Sequence, residues 1–106
     1  MDRVCIRFYT TESQRHGGRL VHEWLLEQAK GMGIAGGTAL RAIAGYGRHG
    51  KLHEETFFEL AGDVPVEVEF VTDAPFVERL LDLLKAENLR LFYIRMRVHS
   101  GVSGAD

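Results

Sequence analysis

Residues 45–51 read Gly-Tyr-Gly-Arg-His-Gly-Lys. Gly45 and Gly47 can take positive φ and let a ligand approach the backbone closely. Successive N–H groups in such a stretch can form an anion-binding nest. Arg48 offers a guanidinium fork matched to carboxylate or phosphate, and Lys51 a second cation. With Tyr46 and His49 between them, these residues fit a phosphorylated or carboxylated small molecule. They equally fit a solvated loop, because a lone Gly-x-Gly carries little information.

No catalytic constellation accompanies this stretch. Ser13, Ser100 and Ser103 fall in loop or tail sequence without a nucleophile elbow. Glu54-Glu55 and the pair Glu67/Glu69 read as surface charge rather than as an acid and a base, since no cleft is implied around them. Neither a full phosphate-loop motif nor a dinucleotide fingerprint occurs. Among the five histidines, His49 and His53 stand four apart, but no His-Glu-x-x-His or Cys/His set appears. A metal-responsive binder would have to draw on His16, His49 and His53. The single cysteine, Cys5, excludes an internal disulfide and reads as a small sheet residue. We expect no enzyme and no resident metal.

The elements that must position these residues follow from hydrophobic period. Residues 3–9 alternate, with Val4, Ile6 and Phe8 on one face, which predicts a strand. Polar loop sequence follows at 10–18. Leu20, Val21, Trp24, Leu25, Gln28, Ala29 and Met32 form a helical stripe over 18–32. Leu26 falls outside the stripe and is expected to touch a neighbouring chain. Strands are predicted over 38–44 and 64–71, with nearly twenty residues between them. Asp73-Ala-Pro75 starts a second helix carrying Val77, Leu80, Leu81 and Leu84, and Asn88 suits its C-terminal end. In 90–98, Phe92, Ile94, Met96 and Val98 alternate with Tyr93, Arg95 and Arg97.

The order βαββαβ predicts an α+β, ferredoxin-like fold: a four-stranded antiparallel sheet with two helices on one face. The apolar strand residues are expected to meet the helices. The open face would then carry Arg7, Tyr9, Arg41, Ile43, Glu67, Glu69, Tyr93, Arg95 and Arg97, either solvated or forming a subunit interface.

One domain, residues 1–99, with a long connection at 46–63 and a tail at 100–106, suits a chain of 106 residues. A net charge of −2 gives no support for a nucleic-acid or membrane-surface partner. No apolar run is long enough to insert into a membrane, and Arg3 and Arg7 interrupt any signal-peptide core, so a cytoplasmic protein is expected.

Gly45-Tyr46-Gly47-Arg48, ending one strand and opening the long connection, resembles the Gly-Phe-Gly-Arg segment of PII signalling proteins. A closer resemblance is to the PII-like domain-of-unknown-function family 190. It rests on Glu12, His16-Gly17-Gly18, Arg41, Gly45-Tyr46-Gly47, His53, Phe57-Phe58 and Asp63-x-Pro65. The resemblance implies a homotrimer that packs its sheets inward and holds ligands between subunits. It also implies a long loop, the T-loop, that engages a partner protein such as a membrane transporter or an enzyme. By position, Gly45, Tyr46, Gly47, Arg48 and His49 would line the cleft, with Arg41 and Lys51 adding charge. PII proteins also carry a glycine-rich, Lys-bearing loop before the last strand. Here that stretch is Ala86-Glu87-Asn88-Leu89-Arg90, with no glycine, and Arg90 is the cation left to meet a phosphate. The expected ligand is an anionic small molecule, with an adenine nucleotide as the candidate. The alternative is a constitutive interaction subunit without ligand sensing.

Overall fold

The computed structural model describes residues 2–45 and 63–105. Its elements are β1 (Asp2–Thr11), β2 (Arg15–His16), β3 (Arg19–Leu20), α1 (Val21–Gly31), β4 (Gly37–Arg41), β5 (Pro65–Thr72), α2 (Ala74–Ala86) and β6 (Phe92–His99). Four strands form one antiparallel sheet in the order β4-β5-β1-β6. α1 packs against β4 and β5, and α2 against β1. This is the expected ferredoxin-like frame, α+β with both helices on one face.

A small hairpin, β2-β3, replaces part of the predicted loop and the predicted first turn of α1. His16-Gly17-Gly18-Arg19 turns it, with φ +58° at Gly17 and +80° at Gly18. Two successive positive φ values suit a two-residue hairpin, and glycine takes them without strain. Leu20 remains extended and the Val21 N–H donates to the Gln14 carbonyl at 2.9 Å, so helix geometry begins only at Val21. At the other helix, Pro75 occupies the first turn. Asn88 takes the left-handed region, φ +54°, just past the end, as the sequence suggested.

Ile6, Phe8, Val68, Phe70, Val21, Leu25, Val77 and Leu80 make the centre of the core and are all but fully buried. Each large side chain so buried contributes roughly 1.5–3 kcal/mol relative to exposure. Leu26, half-buried, packs against this core beside Gly37. At Gly37 the sheet and helix layers close on bare backbone. A Cβ there would stand 2.4 Å from Phe70 Cε1 and 3.0 Å from Leu26 Cδ2.

The register corrects the expected faces. Tyr93 pairs with Phe8, Arg95 with Ile6 and Arg97 with Val4, while Ile94 pairs with Arg7 and Met96 with Cys5. Residues directly opposite in a ladder share a face. Tyr93, Arg95 and Arg97 therefore lie on the helix side, and Phe92, Ile94, Met96 and Val98 on the open side. Arg41 pairs with Val66 and also belongs to the helix side, whereas Leu40 pairs with Glu67 and faces the open side. Ile43 lies beyond the end of β4 and is fully exposed. The physical reason is that β6 is an edge strand. Its Tyr93 ring meets Phe8 at 5.9 Å between centroids, and Arg95 reaches Glu78 of α2 at 3.1 Å. Long side chains with polar ends can cover the margin of a core and still reach water.

The open face is thus apolar along β6, at Leu40 and at Val71, with an ionic centre. Arg7 Nη2 donates to Glu69 at 2.6 Å, and Glu67 stands 3.5 Å from Arg7 Nε. Hydrogen bonding to Arg7 holds the Glu69 carboxyl below its ordinary range. Burial, with Glu69 alongside, pushes the Cys5 thiol up.

Two outcomes follow from this packing. Gly37→Ala overpacks the contact with Phe70 and should destabilise the fold by about 1–3 kcal/mol in urea unfolding. Separately, the Glu69 pKa is lowered on folding, so the unfolded chain binds more protons once pH drops below the ordinary glutamate value of about 4.3. The stability that Glu69 contributes is complete above that value and is lost as pH falls through its folded pKa. Urea midpoints measured from about pH 6 to pH 3 should fall more steeply for wild type than for Glu69→Gln.

Candidate functional site

β1, β4 and β5 meet at one end of the sheet, where the chain leaves at residue 45 and returns at residue 63. Four contacts tie this end together. The Glu12 N–H donates to the Val64 carbonyl at 2.7 Å, and the Ala42 N–H to the Pro65 carbonyl at 2.9 Å. The Ser13 hydroxyl donates to Asp63 at 2.5 Å. Arg41 closes the set with a two-pronged contact to Glu12, Nε to Oε2 at 2.9 Å and Nη2 to both carboxylate oxygens. The Glu12 carboxylate holds the Arg41 guanidinium protonated even more firmly than usual. A cleft of about 270 Å³ opens beside this pair, walled by Leu20, His22, Ala39, Leu40 and Val66. His22 Nδ1 is shut off from solvent there with no hydrogen-bond partner.

The β2-β3 hairpin is pinned next to this end. His16 Nε2 lies 3.0 Å from Glu87 Oε1, just past α2, and the imidazole sits edge-on to Trp24 of α1, 4.9 Å between centroids. His16 therefore joins the hairpin to both helices. Among the described residues, no three His, Cys, Asp or Glu side chains converge as a metal site would require.

A second cleft, about 520 Å³, lies between the end of α2 and the start of β6. Phe8, Leu84, Phe92 and Tyr93 line it, and Lys85 and Arg90 stand at its rim. Both cations are exposed. Sequence reasoning found Arg90 and missed Lys85, because a lysine in the last helical turn has an ordinary explanation in the helix dipole.

Of the residues expected to bind ligand, Arg41 stands at the first cleft, Gly45 is the exposed last described residue before the connection, and Arg90 stands at the second cleft. Tyr46, Gly47, Arg48, His49 and Lys51 lie outside the described residues, as does His53. Arg41 and Arg90 share one end of the sheet but belong to opposite edges, since β4 and β6 are the outermost strands. Three strand spacings of about 4.8 Å separate such edges by roughly 14 Å. Within this chain the two cations do not converge. Arg41 is also engaged by Glu12, a partner that its place in a strand did not reveal.

A ferredoxin-like sheet with a long connection from the edge strand β4 to β5 and a cleft at each edge is similar in fold to solved PII-like proteins. CPII, a nitrogen regulatory PII-like protein from Thiomonas intermedia K12 solved with ADP, AMP and bicarbonate, superposes with a TM-score of 0.61. The superposition covers 96% of this chain and 91% of that one at 16% identity. Two UPF0166 proteins of Aquifex aeolicus (strain VF5) are similar in sequence. One is 34% identical over 86 residues, 81% of this chain and 82% of the relative. The other is 32% identical over 92 residues, 87% and 85% respectively. Residues 3–99 match the model of the family DUF190, Uncharacterized ACR, and the chain belongs to that family.

Proposed function

We propose that this chain is the subunit of a trimeric PII-like regulator. It binds an anionic small molecule between subunits and acts on a partner protein through the connection 46–63. The partner is a membrane transporter or an enzyme whose activity the loop adjusts, and the chain itself catalyses nothing. The observation that carries this reading is the placement of Arg41 and Arg90 at one end but on opposite edges of the sheet. A head-to-tail ring sets the β4 edge of one subunit beside the β6 edge of the next. The cations that one chain keeps apart then face a shared cleft.

The open face supports the same assembly. Leu40, Val71, Phe92 and Met96 are each 37–50% exposed on it, flanking the Arg7–Glu69 pair. Several exposed large apolar side chains on one sheet face, set around an ionic centre, support an association surface. Turned inward around a three-fold axis, it is covered by the two other copies.

In this arrangement Gly45 and Gly47 allow the ligand to approach the backbone. Tyr46, Arg48, His49 and Lys51 continue the site into the connection. Arg90, with Lys85, takes the place of the glycine-rich phosphate loop that 86–90 lacks. The ligands of the Thiomonas protein make adenine nucleotides and bicarbonate the first candidates. Regulation requires that the ligand prefer one conformation of the connection, since equal affinity for two states shifts nothing.

Thermal unfolding against ATP, ADP, AMP, cyclic nucleotides, bicarbonate and divalent metals tests the ligand. A ligand at ~100 times its Kd stabilises by about 2.7 kcal/mol, roughly ten degrees for a domain of this size. We expect such a shift with an adenine nucleotide and its loss in Arg48→Ala. A flat panel would favour the constitutive interaction subunit. For the assembly, Met96→Asp introduces a charge at a side chain that is 40% exposed in the single chain. Light scattering should show a trimer become a monomer with its circular dichroism unchanged. Retention of the trimer would remove the open face from the interface.

A further inference from the structure

We propose that Glu12 occupies the anion seat of Arg41 in the unliganded protein, and that an anion binds there by displacing it. This inference rests on the reading of the chain as an anion-binding regulator.

A guanidinium presents two parallel N–H donors to a planar two-oxygen group. Glu12 fills that edge completely, with Nε on one oxygen and Nη2 on both. The carboxylate therefore shows the shape that the seat accepts: a carboxylate, a bicarbonate, or one face of a phosphate. The pair is poised for exchange, because the side chains are 65% and 36% exposed and water competes for every bond. The Glu12 backbone does not depend on Arg41 for its position. Its N–H is bonded to Val64, and its neighbour Ser13 to Asp63. The backbone thus stays in place while the partly exposed side chain can turn off the guanidinium. The adjoining cleft, with Leu20, Leu40 and Val66 as apolar walls, gives an incoming group room.

The consequence is a threshold. While Glu12 is seated, the pair carries no net charge and does not attract anions. A monoanion gains little by exchanging with a carboxylate of the same charge, whereas a phosphate dianion gains more. Glu12 therefore sets affinity and selects for phosphate over singly charged anions at Arg41. Displacement also releases the link between the residue that ends β4 and the segment bonded to Val64 before β5, which couples occupancy of the seat to the two stems of the connection.

The test compares wild type with Glu12→Gln, Glu12→Ala and Arg41→Ala in calorimetric titrations with ADP, inorganic phosphate and bicarbonate. Phenylglyoxal labelling of Arg41, read by mass spectrometry, serves as a second readout that needs no ligand. We expect both Glu12 variants to bind ADP and phosphate several-fold more tightly, with bicarbonate narrowing its disadvantage, and Arg41→Ala to bind them more weakly than wild type. Arg41 should be labelled several-fold faster in the Glu12 variants, and ADP should protect it. Unchanged or weaker ADP affinity in both Glu12 variants would overturn the inference while leaving a nucleotide-binding regulator intact. If none of the anions binds any of the proteins, the regulator reading fails. Equal labelling rates overturn Glu12 as occupant of the seat whatever the anions do.

Discussion

The register of β1 between β5 and β6 is the constraint on which the rest of the structure depends. β1 pairs on both sides, and its period-two alternation sends Ile6 and Phe8 under the helices and Arg7 and Tyr9 to the other face. A slip of one residue would exchange these sets. With β1 fixed, pairing dictates which half of β5 and β6 faces the helices. It also dictates that Arg7 stands between Glu67 and Glu69. The core and the ionic centre of the open face are two consequences of one register.

The same register produces the functional geometry. Because β4 and β6 are the two edges, the clefts beside Arg41 and Arg90 open on opposite sides of one end of the sheet. The long connection leaves from the edge strand β4 and returns into β5, and its stems are held by the Glu12–Arg41 and Ser13–Asp63 side-chain contacts together with the backbone bonds Glu12–Val64 and Ala42–Pro65. A rigid sheet carrying exposed polar contacts at its rim suits the proposed regulator, whose scaffold would stay put while contacts at its margin are traded for those of a ligand.

The hairpin at 15–20 adds a further restraint. Gly17 and Gly18 make its turn, and His16 then bridges Trp24 of α1 to Glu87 beyond α2. The segment carrying Glu12 is consequently bounded by β1 on one side and by a pinned hairpin on the other. The restraint acts on the backbone that carries Glu12, whose side chain stays partly exposed.

The sequence by itself determined the order of the two helices and the four strands of the main sheet, the helical stripes, the buried half of β1 and β5, and the family. These rest on local period and short motifs, which are properties of neighbouring residues. It could not assign the faces of β6. Phe92, Ile94, Met96 and Val98 form the more apolar half of that strand, and hydrophobicity alone sends them to the core. Tertiary structure decided otherwise, because pairing with β1 places Tyr93 and Arg95 on the helix side, where Arg95 finds Glu78. Nor could sequence show that Arg41 is already engaged, since Glu12 is 29 residues away and meets it only once β1 and β4 end at the same side of the sheet. Side chains that come together across a sheet are set by strand order and register, and no short stretch of sequence contains either.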